Sequence, residues 1–422
     1  LGSPDDTGEG SDGAMENLPI SAGPSDLRRL GKLELSNSVR SLLPALPGDT
    51  DPAVDVPKDN NVALAFSLPG TVSEIEVKRF MDLGEEVLTK LGANSPSSSV
   101  VCGGDETTCA REFVADFAQR AFRRPVEPVE VDDLMSLYDK LRTDPEMAFG
   151  FGEALDVLVE AILQSPGFLY RWERGPRAPA LDGELVKYDS YEMASRLSYF
   201  LWNTMPDEEL FAAAQNDELS TADQVEVQTR RMIADPRFDQ TLGDFATQWL
   251  ELSELPTILK DTNVYPAFVP GLGQAMLDEA RAFVRDVFRS SSPTLDSLLH
   301  STTSRVSPEL ANFYGVAPSA DGLVDLGPAG RQGILMQGGF LAAKGNSYRT
   351  SPVRRGKLVL NRLLCIDVPP PPPNAVLELP PPDPNLTLRE QMAQHAASPG
   401  CATCHETMDP LGFAFANSDA IG

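Results

Sequence analysis

Apolar positions recur at three- and four-residue intervals through most of this chain, with little period-two alternation, and the pattern predicts a mainly α protein. A first helix is expected over 25–43, with Ser25 as its N-cap. A second, over 71–91, carries the stripe Ile75, Val77, Phe80, Met81, Leu83, Val87 and Leu88. A third runs over 108–122, with Phe113, Val114, Phe117 and Ala121 on one face, until Arg123-Arg124-Pro125 stops it. Helices over 129–141 and 149–164 follow. The second of these is apolar nearly all round, as a core helix should be.

After a break at 175–179, helical patterning resumes near Ser190. Further helices are expected from Pro206, taken as the first helical residue ahead of Asp207-Glu208-Glu209, and over 221–234, 238–252 and 271–288. Only 185–188 and 323–326 read as strands. In the last third, helices over 333–343 and 351–365 give way to proline stretches at 369–373 and 380–382. These read as stiff straps leading to a short helix over 386–397. Cys365, at the end of its helix, is expected to be buried. The expected architecture is several helical, bundle-like units with short β elements. A flexible leader, 1–23, precedes units at 24–95, 96–175, 176–320 and 321–422.

Charge narrows the partners. Sixty-two acidic residues against 35 basic ones give a formal charge of −27, which excludes a phosphate-tracking nucleic-acid surface. The acidity fits solubility outside the cell. No run of 18 apolar residues occurs, so no membrane-spanning helix is expected. The polar start reads as the leader of a processed or trimmed chain, which leaves room for a lipid anchor upstream and for an oligomeric assembly. Cys102 and Cys109 bracket a short polar stretch and are expected to form a loop-closing disulfide, the alternative being two free thiols. Hydrolase and nucleotide-binding signatures (G-x-S-x-G, H-E-x-x-H, the phosphate-binding loops) are absent from the sequence.

One segment specifies a chemistry. Cys401-Ala402-Thr403-Cys404-His405 has the C-x-x-C-H spacing at which two thiols form thioethers to haem vinyl groups and the histidine ligates the iron. Cys401 and Cys404 are therefore the expected anchors of a covalent haem c, with His405 as proximal iron ligand. Met408, one turn beyond His405, is badly placed for the distal side and is expected to pack locally. His395 is the first choice as sixth ligand, ahead of Met336 and Met392, and an open sixth position is the remaining option. His300 is assigned to a helix end. Arg349, Arg354 and Arg355 are expected to pair with haem propionates, or else with the chain's own acids. Two non-haem readings stay open: a structural zinc held by His395, Cys401, Cys404 and His405, and a structural disulfide linking Cys401 to Cys404 or to Cys365.

Several phrases resemble a family of large secreted bacterial proteins of planctomycete and myxobacterial type. Its successive domains are of unknown function, and its C-terminal part is cytochrome-c-like. The phrases are Leu27-Arg28-Arg29-Leu30 with Asn37-Ser38-Val39-Arg40, and Phe117 through Pro125. Others are Ala194 through Asp207, Gln337-Gly338-Gly339-Phe340-Leu341, Thr350 through Gly356, and Cys401 through Gly422. The resemblance runs from about residue 25 to the end in the family's domain order. It implies a mostly helical, extracytoplasmic protein with a C-terminal haem-type motif. Ala416 stands where the family carries a Glu and Ser418 where it carries an aromatic, and family members continue past the position of Gly422, so the chain looks trimmed inside a domain. The expected role is redox, toward a partner protein or an extracellular substrate. The alternative is a non-enzymatic surface or assembly protein.

Overall fold

The computed structural model describes residues 27–57, 59–61, 67–68, 72–173, 187–369, 383, 385–396 and 399–422. The leader, the proline straps apart from Pro369, and the side chain of His395 lie outside the described residues. In chain order the elements begin with β1 (Arg28–Arg29), α1 (Lys32–Leu42), β2 (Asn60–Asn61), β3 (Ser67–Leu68) and α2 (Glu74–Leu91). Next come α3 (Glu106–Phe122), α4 (Pro128–Thr143), α5 (Phe151–Gln164), α6 (Pro166–Leu169) and β4 (Tyr170–Arg171). The middle of the chain forms α7 (Ser190–Trp202), α8 (Glu208–Gln215), α9 (Ala222–Ala234), α10 (Arg237–Trp249) and α11 (Leu272–Arg289). It continues with α12 (Leu295–His300), β5 (Thr303–Arg305), α13 (Pro308–Phe313) and β6 (Leu323–Asp325). The last part holds α14 (Gly338–Ala343), α15 (Pro352–Arg362), α16 (Leu388–Ala396) and α17 (Pro399–Phe413). The fold is mainly α; among the described residues the strands form only two-stranded antiparallel pairs, β1 with β4, β2 with β3 and β5 with β6.

Most helices start where a side chain can cap them. Asp105, Asp189, Thr221 and Thr294 each accept a backbone N–H from the first turn of α3, α7, α9 and α12. Two starts differ from the sequence pattern. Residues 27–30 are extended, not helical: Arg28 and Arg29 pair with Arg171 and Tyr170, and the Leu30 N–H donates to the Leu169 carbonyl at 2.8 Å. The buried Arg29 guanidinium reaches Glu76 at 2.8 Å and lies over the Phe80 ring, a placement that tertiary contacts impose over local propensity. At α8 the cap is Asp207, which accepts the Leu210 N–H at 3.0 Å, and Pro206 lies outside the helix. No strand forms at 187–188, whereas 323–325 is β6 as expected.

Four apolar cores result. The N-terminal core joins α1 and α2 to Phe117, Phe122, Ile162, Phe168 and Tyr199. A second is built from α3, α4 and α5. Because α5 serves both, Leu155, Leu158, Val159, Ile162 and Leu163 are all fully buried, which accounts for its apolar circumference. A third core joins α7, α8 and α9 to the start of α10. The fourth runs from Ala246 to Ile421 and includes α11, α13, α14 and part of α15. The N-terminal core thus joins residues on both sides of 95/96 and of 175/176, and the fourth core residues on both sides of 320/321.

Candidate functional site

Cys401, Cys404 and His405 lie in the first half of α17, at i, i+3 and i+4, so one helix face carries all three. Both thiols are unpaired and partly exposed. His405 Nδ1 is 3.1 Å from both Oδ1 and Oδ2 of Asp409, one turn further on, and each side chain is 11% exposed. A carboxylate only accepts, so Nδ1 donates in this pairing, and Nε2 is the ring nitrogen that Asp409 does not engage. The donor set thus has the composition a haem c attachment requires: two free thiols and an imidazole whose second nitrogen is already anchored.

The helix is held by an unusually close neighbour. A Cβ at Gly356 would overlap the Met408 carbonyl oxygen, and one at Gly412 would overlap that of Pro352. Backbones in direct contact at 356/408 and 352/412 make α15 and α17 antiparallel, and this is the most extensive helix pair in the molecule. By that register the C-terminal end of α15 lies level with the turn of α17 that carries Cys401. Met408 is buried, in keeping with a packing role. Helix α16 also packs on α17, with Arg389 over the Phe413 ring at 4.4 Å.

The three arginines of the 349–355 stretch separate into different environments. Arg355 is 1% exposed. It donates to the carbonyls of Leu341 and Ser418 at 3.0 Å, to Phe415 at 2.9 Å, and to Asp419. Burial brings its pKa down to about 10. The propionate role expected of Arg355 is therefore replaced by a structural one, tying the residues after α17 to α14 and α15. Arg354 is exposed, and Arg349 is half-buried with its guanidinium 5.2 Å from the Tyr348 ring centre. Lys260 reinforces the same region: its ammonium donates to the carbonyls of Ala342 at 2.9 Å and Asn346 at 3.0 Å. Burial, with Arg355 and Arg354 nearby, brings its pKa down to about 8.

Other expected residues fall elsewhere. Cys102 and Cys109 form a disulfide at the start of α3, with Cα atoms 5.9 Å apart. Cys365 is exposed, not buried, because α15 ends at Arg362 and Cys365 takes the left-handed position (φ +55°) of its C-terminal turn. Leu364 and Ile366 N–H groups there return to the carbonyls of Val359 and Leu360. His300 closes α12, 2.8 Å from Asp296. Met392 is buried, and Met336 packs against the fourth core. No group of three or more His, Cys, Asp or Glu side chains able to hold a metal ion occurs among the described residues, which do not include the His395 side chain.

The sequence pattern gave no warning of one buried polar cluster. Tyr314 donates to Glu279 Oε2 at 2.6 Å, Ser304 to Glu279 Oε1 at 3.1 Å, and the Gly338 N–H to the Tyr314 oxygen at 2.9 Å. Burial raises the Glu279 carboxyl to about 7, against the opposing pull of Tyr314, Ser304 and Arg331. An open cleft of about 1060 Å³ between α10 and α11 borders this cluster and is lined by Asp239, Asp244, Asp278, Arg281 and Arg305, among others. None of its lining residues belongs to α14–α17.

Three family models match the chain in succession. Residues 109–173 match the protein of unknown function DUF1595 (PSD5), 188–316 match DUF1592 (PSD4), and 331–422 match DUF1588 (PSCyt3). Neither a curated protein nor a solved structure matches the chain. The chain thus matches three domains of unknown function in succession, and its candidate site lies in the one whose name points to a cytochrome.

Proposed function

We propose that this chain is a haem c-bearing redox protein of an extracytoplasmic compartment. Cys401 and Cys404 would supply the thioether sulfurs and His405 Nε2 would face the iron. The observation that carries this reading is the arrangement on α17: two unpaired thiols and an anchored imidazole on one face of a helix. A bound haem would supply one-electron chemistry at its iron. The chain's own contribution is positional. Direct backbone contact between α15 and α17 fixes the helix that spaces the three groups, and Arg355 secures the segment following it. Arg349 and Arg354 remain the proposed partners of the propionates, and His395 the proposed distal ligand. The partner would be a redox protein or an extracellular substrate. The Cys102–Cys109 disulfide and the absence of any described helix long and apolar enough to cross a membrane are compatible with the compartment in which haem c is attached.

A reduced pyridine-haemochrome spectrum of the denatured protein, with intact mass, tests the proposal. A c-type band and a mass gain of one haem, both lost in the Cys401→Ala, Cys404→Ala double variant, are expected. An unmodified mass with no band would refute it, and zinc analysis with disulfide mapping would then choose between the two structural readings.

A further inference from the structure

Among the described residues, two histidine–aspartate pairs lie one helical turn apart, and they differ in one physical respect. His300 and Asp296 are 60% and 82% exposed, where water screens the interaction and leaves it worth little. His405 and Asp409 are each 11% exposed. A charge-assisted hydrogen bond in that setting is stronger, because fewer water dipoles compete with it. Its geometry is also specific. Asp409 offers both oxygens at 3.1 Å to Nδ1, which fixes the tautomer and the ring orientation together.

We propose that Asp409 is a positioning residue for the site: it holds His405 with Nε2 presented to the iron, and its charge lowers the reduction potential there. The inference rests on the haem reading above. The physical reason is general: a carboxylate on the far nitrogen of a ligating imidazole raises the basicity of the near one. A more basic ligand stabilises ferric over ferrous iron, and second-shell hydrogen bonding is one of the levers by which a protein sets a haem potential. Asp409 lies four residues beyond His405, on the same helix face, so neither partner can turn away without disturbing α17. The Met408 peptide beside it is pinned against Gly356.

Two measurements separate this inference from the reading it rests on. The first is a spectroelectrochemical titration of the full chain produced with haem c attachment machinery. Asp409→Asn keeps an acceptor oxygen but removes the charge. It is expected to favour ferrous iron about tenfold, a rise of ~59 mV for one electron. Asp409→Glu, which keeps the charge, is expected to remain near the parent potential. Equal potentials in the parent and Asp409→Asn proteins, with haem bound in both, would overturn the proposal. The second measurement is made on the haem-free Cys401→Ser, Cys404→Ser chain, by ¹⁵N NMR of the histidine side chains. His405 is expected as the Nδ1–H tautomer and to lose that preference in Asp409→Leu. An Nε2–H tautomer in the chain with Asp409 intact would overturn the proposal. A chain that takes up no haem but shows the Nδ1–H tautomer would sink the haem reading while upholding Asp409's hold on His405.

Discussion

Arg123 and Arg355 are buried cations that answer backbone carbonyls. Arg123 donates to the carbonyls of Ala121, Gly167, Phe168 and Tyr170 and lies beside the Phe168 and Tyr199 rings. Each has an arginine neighbour with a different fate: Arg124 forms an ion pair with Glu130 near the surface, and Arg354 is exposed. Adjacent identical residues carry no mark of which one is buried, so the division of roles at 354/355 was not legible in the sequence. Removing Arg355 leaves several buried carbonyls without donors. Arg355→Met is therefore expected to destabilise the C-terminal region by about 3 kcal/mol, read from denaturant midpoints. A loss below about 1 kcal/mol would mean that water or neighbours satisfy those carbonyls. Glu279 supplies a pH dependence. Its folded pKa is raised, mainly by burial, from 4.5 to about 7. Its contribution to stability is thus fully present below about pH 4.5 and is lost as pH rises through 7, a change on the order of 3 kcal/mol. Asp235 behaves oppositely: hydrogen bonding from Arg237 lowers it to about 2, so its contribution is present above 3.8 and lost as pH falls through 2. The two windows do not overlap, so between pH 4.5 and 7 the unfolding midpoint of the parent should fall relative to that of the Glu279→Gln protein. A constant difference across that range would show that Glu279 does not titrate there.

At the scale of elements, helix type and most helix starts follow from the chain's periodicity and from Asp, Ser and Thr caps. The segment at 27–30 escaped because its conformation is decided by partners at 169–171 and 76, far away in the chain. The crossing of α15 and α17 escaped for a different reason: nothing in the sequence marks Gly356 and Gly412 as facing each other's helix, although they are the contact itself. Substitution there reverses the usual helix scale. Alanine in a helix interior is normally favoured over glycine by about 1 kcal/mol. At Gly356 or Gly412 the added methyl meets backbone that cannot turn aside, so Gly356→Ala and Gly412→Ala should instead destabilise by roughly 2–3 kcal/mol. Gly152 in α5 is the control, since its nearest neighbour, the Ser97 Oγ, would be at an ordinary 3.4 Å. Gly152→Ala should be neutral or slightly stabilising in the same melts. Similar effects at all three positions would argue against the close crossing. Because α17 carries the cysteines, the two destabilising variants should, under the proposed haem reading, also lower haem occupancy, measured by mass.

At the scale of the molecule, apolar packing links regions far apart in the chain. The family matches change over between residues 173 and 188 and between 316 and 331. The apolar packing follows neither change-over: Tyr199 and Met205 pack in the N-terminal core. Phe340, Leu341, Leu358, Phe415 and Ile421 share one core with Leu250, Leu255, Met276, Phe283 and Tyr314. Which faces pair across a join depends on three-dimensional arrangement, and periodicity within each helix is silent about it. The consequence concerns the site directly, because the region holding Cys401, Cys404 and His405 does not own the core that supports it. A fragment of residues 331–422 would expose the face of α14 that α11 and the turn near Leu255 now cover, and its remaining apolar burial would be too small to offset chain entropy. It is expected to show no cooperative unfolding transition by circular dichroism. A fragment of residues 237–422, which restores α10, α11 and the β5–β6 pair, is expected to unfold cooperatively. If 331–422 alone melted sharply, the shared core would be an accessory contact, and the haem-type region would be an independent module carried by the helical body.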